Sequence, residues 1–155
     1  MLALRLLLVA FVAAGTAVPV VAAAQQGGTA ARPTQLDYAF FKTSVQPIFM
    51  AKRPGLVRCI QCHTHTTGSR LLLQPFTAGA TSWDEEQSRK NFETVSRLVS
   101  PGLPAASRLL LHPLAQPAGG DPFHAGGKHW DSQDAPEWQI LAAWVRGQTA
   151  TGASR

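Results

Sequence analysis

The sequence predicts an all-α fold of three to four helices joined by long loops. Apolar side chains recur at helical spacing in several segments, and no segment shows the convincing period-two alternation that half-buried strands require. Proline (11 residues) and glycine (13 residues) separate these segments and mark where helices end. We therefore expect short helices and very little sheet.

Residues 1–24 predict a secretory signal peptide. Arg5 precedes the apolar stretch LLLVAFVAAGTAVPVVAAA, and Ala22-Ala23-Ala24 fits an A-x-A cleavage site. The alternative is an uncleaved membrane anchor, because this apolar run is nearly long enough to span a bilayer. In both cases we expect the rest of the chain to be periplasmic or otherwise exported. It should have no membrane span after signal cleavage and should be membrane-anchored if the signal is not cleaved. Residues 25–36 are mostly polar or small and predict a flexible leader.

The charge of the chain argues against one class of partner. Its formal net charge is +5, and loss of Arg5 with the signal lowers it to +4. The basic residues are scattered from Arg32 to Arg155 without a dense cluster, so we expect no nucleic-acid partner. This weak positive balance is compatible with docking on an acidic protein partner.

The folded domain is expected over residues 37–147, and its first helix is capped by Asp37. The apolar residues at helical spacing in this helix are Phe41, Val45, Ile48 and Phe49. Pro47 lacks an amide donor, so the helix should kink or restart there.

Two further helices are predicted in the middle of the domain. Ser82 and Glu85 have capping-box spacing, and Pro101-Gly102 marks the end of the second helix. Its apolar face comprises Phe92, Val95 and Val99. A short third helix begins at Pro104, carries three consecutive leucines and ends before Pro113.

The last helix has the clearest start signals. Asp134 and Glu137 stand at the N-cap and N3 positions, and Pro136 lies in the first turn. The residues that share its apolar face are Trp138, Leu141 and Val145. We expect Trp144 on this helix to pack against the first helix around Phe41.

Residues 115–133, AQPAGGDPFHAGGKHWDSQ, are too rich in glycine and proline for a helix or a strand and predict a long loop. Loops of this length are usually functional or disordered. The large side chains Phe123, His124 and Trp130 favour an ordered loop. Residues 148–155 are expected to form a disordered tail.

The two cysteines of the chain lie in one short motif, CIQCH, formed by residues 59–63. A thioredoxin-like redox pair would require a βαβ context, and none is visible. A zinc site could use Cys59, Cys62, His63 and His65, but ligands this crowded would strain tetrahedral geometry. A short-loop disulfide would leave His63 unexplained.

Covalent haem attachment uses every residue of the same motif. The thiols of Cys59 and Cys62 can each form a thioether with a haem vinyl group, and His63 then lies under the iron as the proximal ligand. Short helices and glycine-rich loops also offer few aliphatic side chains for a core. One covalent haem c would supply a planar apolar centre.

The motif and its flanking segments resemble class I cytochromes c, and more narrowly small bacterial monohaem domains. The segments that carry the resemblance are FFKTSVQPIF before the motif, GGDPFHAGGKHW before the last helix, and LAAWVRG within it. The resemblance covers about residues 37–147 and implies helices and long loops packed around one haem. It implies a one-electron carrier without catalytic residues, which exchanges electrons with redox protein partners.

The distal iron ligand departs from the family's pattern. Class I cytochromes usually place a methionine in the loop before the last helix, whereas Met50, the only methionine after the initiator, precedes the motif. The loop offers His124, followed by Ala125-Gly126-Gly127, with His129 as the alternative ligand. His112, Met50 or an open position remain further alternatives. Two imidazoles without a thioether predict a lower midpoint potential than His/Met ligation.

The surroundings of the haem can also be anticipated. In this class a proline carbonyl often accepts the second N–H of the proximal histidine, and Pro75 stands twelve residues after His63. Candidate side chains for the haem propionates are Arg70, Lys128 and Trp130. His65 is expected to be solvated or near a propionate.

Two alternatives to a pure electron carrier remain open. An open coordination position would indicate a five-coordinate haem enzyme, or a sensor of gas or peroxide. The chain could also be a haem-bearing subunit of a larger redox complex.

Overall fold

The fold is described from a computed structural model that covers residues 35–65 and 68–152. The expected signal peptide and the leader up to residue 34 lie outside the described residues. Residues 153–155, the end of the expected tail, lie outside them as well.

The all-α class is confirmed. The described residues hold five α-helices and no β-strand. The helices are α1 (Tyr38–Phe40), α2 (Cys59–His63), α3 (Glu85–Ser96), α4 (Arg108–Leu111) and α5 (Pro136–Val145). Strand-like pairing within this part of the chain is limited to the isolated bridges Arg53–Leu56 and Leu114–Trp130. None of its helices is long and apolar enough to cross a membrane.

The N-terminal helical segment restarts where a proline removes a donor. The Asp37 side chain caps α1 by accepting the Phe40 backbone N–H at 2.7 Å. The helix continues as a π-helix, Phe41–Val45, and then as a 3-10 helix, Gln46–Phe49, with Pro47 in its first turn. The predicted restart at Pro47 is therefore confirmed. The four apolar residues predicted to share this helix are all buried.

Helix α3 begins two residues later than the predicted capping box. Asp84 accepts the Gln87 backbone N–H at 2.8 Å, and the Gln87 side chain accepts the Asp84 backbone N–H at 3.1 Å. These residues have the same spacing as Ser82 and Glu85, and a carboxylate is a stronger acceptor at a helix N-terminus than a hydroxyl. The helix ends at Ser96, so Val99 lies beyond it.

The predicted third helix is divided into two short pieces. A 3-10 helix covers Pro104–Ala106, and α4 follows after Ser107, which is extended at φ −95° and ψ 113°. The Ser107 hydroxyl donates to the Leu103 carbonyl at 2.8 Å and accepts the Ser100 backbone N–H at 2.9 Å. These side-chain bonds compete with a continuous helix.

Helix α5 begins at Pro136 without the predicted side-chain cap. Ala135 occupies the N-cap position, and the predicted cap Asp134 lies one residue earlier. Proline tolerates this start because its missing N–H would be unsatisfied in the first turn and its φ is already helical. Glu137 lies in the first turn and is bound by Arg53.

An aromatic core joins the N-terminal segment to α3 and α5. The Trp144 ring lies 5.5 Å from Phe41 and 6.1 Å from Phe92, measured between centroids, which confirms the predicted contact with Phe41. The Trp144 indole N–H also donates to the Asp37 carbonyl at 2.9 Å. The helices thus supply more core of their own than their aliphatic content suggests.

Packing extends slightly beyond both expected ends of the domain. Leu36, assigned by sequence to the leader, is buried in the core. Thr149, assigned to the disordered tail, is also buried, and the Gln148 N–H donates to the Ala143 carbonyl at 3.0 Å. The start of the tail, up to Thr149, therefore packs on the end of α5.

Replacing Trp144 by phenylalanine removes a buried hydrogen bond, and the same change at Trp138 does not. Both side chains are buried on α5, but the Trp138 indole N–H has no hydrogen-bond partner within the described residues. We expect Trp144→Phe to lower the free energy of unfolding by about 1–2 kcal/mol more than Trp138→Phe. Denaturant unfolding of both variants measures the difference. Equal losses would contradict a stabilising role for the bond to Asp37.

Candidate functional site

A cavity of about 490 Å³ lies between α2, the end of the N-terminal segment and the long loop. Cavities that bury cofactors and other small ligands span about 300–1,000 Å³. Much of its apolar lining comes from Ile48, Phe49, Leu71, Leu98, Leu109 and Trp130. The cavity also brings together the cysteine motif and three histidines that are distant in sequence, namely His112, His124 and His129.

Helix α2 places the whole motif on the cavity. Cys59, Cys62 and His63 are spaced i, i+3 and i+4, which puts them on one face of a single helical turn, and all three line the cavity. The Gln61 side chain accepts the Arg58 backbone N–H at 2.9 Å and closes the first turn. Burial raises the pKa of the Cys59 thiol, and the nearby Arg53 guanidinium opposes this shift.

His63 is oriented by hydrogen bonds to its Nδ1. This atom lies 2.9 Å from the Leu71 carbonyl oxygen and 2.9 Å from the Ser69 hydroxyl. A carbonyl oxygen only accepts, so Nδ1 carries the proton and Nε2 keeps a free lone pair. Burial lowers the pKa of His63 and favours its neutral form.

Pro75 is not the acceptor for His63. The Pro75 carbonyl instead accepts the Gln87 side-chain N–H at 2.8 Å. The Leu73 N–H also donates to the His63 carbonyl at 2.7 Å, and this bond holds the segment of Leu71 against His63. The sequence therefore predicted a backbone acceptor correctly but assigned it to the wrong residue.

His124 lies close to His63, and the two rings are nearly parallel. The ring centroids are 6.2 Å apart, and the ring planes differ by 12°. Its Nδ1 lies 2.5 Å from the Gly127 carbonyl, so this imidazole also carries its proton on Nδ1 and leaves Nε2 free. Burial lowers the pKa of His124 as well. The two residues thus present two neutral imidazoles to one space.

The ring separation fits two imidazoles that bind one ion. Each metal–nitrogen bond is about 2 Å long, and the ring centroid lies behind the nitrogen, so two opposed imidazoles on one ion have centroids roughly 6 Å apart. The His63 and His124 rings stand at this separation, with centroids 6.2 Å apart. This geometry favours His124 as the distal partner of His63.

His129 is the less favourable of the two candidate histidines. Its ring is 5.6 Å from that of His124 and tilted by 61°. Burial lowers the pKa of His129 to about 4, and its Nδ1 is buried with no hydrogen-bond partner among the described residues. The backbone N–H donates to the Pro113 carbonyl at 2.7 Å. His129 therefore lines the cavity as a neutral imidazole. No hydrogen bond to its Nδ1 fixes the tautomer among the described residues.

The other alternative ligands have different surroundings. His112 pairs through Nδ1 with the Asp121 carboxylate at 2.8 Å, and its ring lies 4.9 Å from that of His124. Met50 is partly buried and packs against the core. His65 is exposed, in agreement with a solvated position.

Two of the three residues predicted to bind propionates are engaged elsewhere. The Trp130 indole N–H donates to the Glu137 carboxylate at 3.0 Å, although its ring lines the cavity. The Lys128 ammonium donates to the backbone carbonyls of His112 and Asp121. Arg70 is exposed and lines the cavity.

Sequence reasoning missed two further arginines that line the cavity, Arg58 and Arg108. It also missed the Arg53–Glu137 ion pair beside the cavity, which joins residues 84 positions apart. Arginines are scattered through the sequence without periodicity, so no local pattern distinguishes these three from the rest.

Across residues 35–65 and 68–152, no group of three or more His, Cys, Asp or Glu side chains is arranged to hold a metal ion. Comparisons with family models, curated proteins and solved structures give no significant match for this chain.

Gly127 is required by the turn that orients His124. It has φ +81°, and a Cβ atom there would lie 3.0 Å from Leu56 Cδ2. Gly79 has the same φ, but a Cβ atom would meet nothing within 4 Å. We expect Gly79→Ala to lower the free energy of unfolding by about 1 kcal/mol, and Gly127→Ala to lower it further.

Only the Gly127 variant should also disturb His124. Denaturant unfolding measures the stability of both variants, and ¹⁵N NMR reports which ring nitrogen of His124 carries the proton. Equal stabilities together with an unchanged His124 tautomer would contradict this role of Gly127.

Proposed function

We propose that this protein is an exported one-electron carrier that holds a single haem c in the cavity. Cys59 and Cys62 would attach the haem, with His63 as proximal and His124 as distal ligand. The observation that carries the proposal is the near-parallel pair of imidazoles, 6.2 Å apart, in a cavity lined by both thiols. The domain would then have a class I cytochrome c-like arrangement of helices and loops around one haem.

The chain's own residues are suited to hold the group. Helix α2 presents both thiols and His63 from one face, and the Leu71 carbonyl fixes the His63 ring by accepting from Nδ1. When bound, the haem supplies an iron that changes by one electron between ferric and ferrous forms. The porphyrin provides four nitrogen ligands itself, so two imidazoles are sufficient for six-coordination.

The walls of the cavity suit a planar apolar group. Ile48, Phe49 and Trp130 are buried residues of the core that also line the cavity, so the group would contact well-packed side chains. The cavity-lining arginines Arg58 and Arg108, together with Arg70, are candidates for its propionates. The Trp130 N–H is not, because Glu137 accepts it.

The partner in this proposal is another redox protein. Exposed apolar side chains lie at the cavity, where Phe123 is 74% and Val57 is 44% exposed. Together with the lining arginines they favour an acidic partner surface that approaches this side of the protein. Electron transfer of this kind needs no catalytic acid or base. Export rests on the sequence of residues 1–24.

The covalent bond is tested by mass. In a host with a haem attachment system, the exported protein should carry the mass of one haem that acidic organic solvent does not extract. The Cys59→Ala/Cys62→Ala variant should lose it, whereas Met50→Ala, a change at a core residue, should keep it. Colourless wild-type protein with the mass of the bare polypeptide would refute the proposed function.

The distal ligand is tested by paired histidine variants. The oxidised wild-type protein should be low-spin by electron paramagnetic resonance, and its reduced form should not bind carbon monoxide. His124→Ala should become high-spin and bind carbon monoxide, because the His63 ring then has no opposed ligand at 6.2 Å. His129→Ala should remain low-spin and inert.

The opposite pattern would assign the distal position to His129. A wild-type protein that is already high-spin and binds carbon monoxide would instead favour the enzyme or sensor alternative.

A further inference from the structure

A largely buried ion pair lies beside the cavity and has no role in the ligation described above. The Arg53 Nε and Nη2 both donate to the same carboxylate oxygen of Glu137, at 2.8 and 2.6 Å. The Arg53 side chain is only 10% exposed, and that of Glu137 is 30% exposed. A buried pair often contributes little net stability, because desolvation offsets the attraction. Its position therefore suggests a function other than stability.

The pair connects segments that form one side of the cavity. The same Glu137 oxygen accepts the Trp130 indole N–H at 3.0 Å, and Arg53 Nη2 donates to the Ile48 carbonyl at 3.1 Å. Trp130 and Ile48 both line the cavity. Glu137 thus fixes the Trp130 ring, while Arg53 ties the end of the 3-10 helix to the start of α5.

Both charges lie at a residue of the cavity. The Arg53 guanidinium carbon lies 5.9 Å from the centroid of the Trp130 ring, and the Glu137 carboxylate accepts the N–H of the same ring at 3.0 Å. The two charges therefore face the same residue with opposite sign and partly cancel. Each charge would be weakly screened if its partner were removed, because the Arg53 side chain is only 10% exposed and that of Glu137 30%.

We propose that Arg53 and Glu137 are positioning residues that hold Trp130 against the haem, and that the pairing of their charges keeps either charge from shifting the midpoint potential. This inference rests on the proposed haem site. A guanidinium near the site disfavours the more positive, oxidised state, and a carboxylate favours it. Paired, the two charges leave the potential close to the value that the axial ligands determine.

Removal of each partner should shift the potential in opposite directions. Glu137→Gln leaves the Arg53 cation uncompensated and should raise the midpoint potential. Arg53→Met leaves the carboxylate and should lower it. The double variant Arg53→Met/Glu137→Gln should return close to the wild-type value. Structural damage alone would not produce shifts of opposite sign that cancel.

Matched controls are available on α3, where Glu85 pairs with Lys42 and Arg89 at the surface. Glu85→Gln and Arg89→Met make the same charge changes at exposed side chains and should shift the potential much less. The charge-conserving variants Glu137→Asp and Arg53→Lys separate charge from geometry. Each should stay closer to the wild-type potential than the corresponding neutral variant. If a neutral variant fails to fold, the charge-conserving variant at the same position is measured in its place.

The measurement is a spectroscopic redox titration of the purified haem protein. Shifts of the same sign, shifts no larger than those of the Glu85 and Arg89 controls, or equal shifts for Glu137→Asp and Glu137→Gln would overturn the inference. In all three outcomes haem is bound, so the proposed function would stand. Wild-type protein without haem would refute the proposed function and, with it, this inference.

Discussion

A proton on Nδ1 of both His63 and His124 is the constraint on which the proposed site depends. The carbonyls of Leu71 and Gly127 accept these protons and leave Nε2 as the nitrogen able to bind a metal. The Gly127 carbonyl belongs to a tight turn that is closed by the Gly127 N–H on the His124 carbonyl at 2.9 Å, and the segment of Leu71 is held at His63 by the Leu73 N–H on the His63 carbonyl at 2.7 Å. Backbone geometry thus determines the tautomer of each ring, and the tautomer determines which chemistry the ring can support.

The two histidines differ in what maintains this constraint. At His63, the ring Nδ1 and the Ser69 hydroxyl both contact the Leu71 carbonyl, and the hydroxyl donates to it at 2.8 Å. A side chain and a backbone carbonyl therefore both lie within hydrogen-bond distance of Nδ1. At His124 the acceptor belongs to a glycine with φ +81°, a conformation that other residues adopt at a cost. The distal side therefore depends on the sequence of a loop, and the proximal side depends on a helix and the turn that follows it.

The elements of the fold were predictable wherever one local signal decided them. The cap at Asp37 and the restart at Pro47 needed only the chemistry of those residues, and both are present. The start of α3 was not predictable in this way, because two residue pairs have the spacing of a capping box: Ser82 with Glu85, and Asp84 with Gln87. The buried Trp83 ring, whose indole N–H donates to the Gln74 carbonyl at 2.6 Å, lies between these two possible caps. That contact is tertiary and has no signature in the sequence.

The same distinction applies to the candidate site. The motif of residues 59–63 is local, and its helical spacing alone brings two thiols and an imidazole to one face. Pro75 and Leu71 could not be distinguished, because the choice depends on where the chain reverses after α2. The pairing of Arg53 with Glu137 was even less predictable, because it joins the turn at Pro54-Gly55 to the start of α5, and the two residues are 84 positions apart.

The core and the candidate site share one wall, and this explains how they can differ in sensitivity to mutation. Phe49 and Trp130 belong to the buried core and also line the cavity, so a bound planar group would extend the core across them. Phe41 and Trp144 do not line the cavity, and their ring contacts join the N-terminal segment, α3 and α5. Substitutions there should change stability before they change the cavity. The loop that carries His124 is held by backbone bonds, such as that from the His129 N–H to the Pro113 carbonyl at 2.7 Å, and by the Trp130 N–H on Glu137. The Nδ1 bond of His124 lies within the loop, so a substitution of His124 should change ligation before it changes the fold.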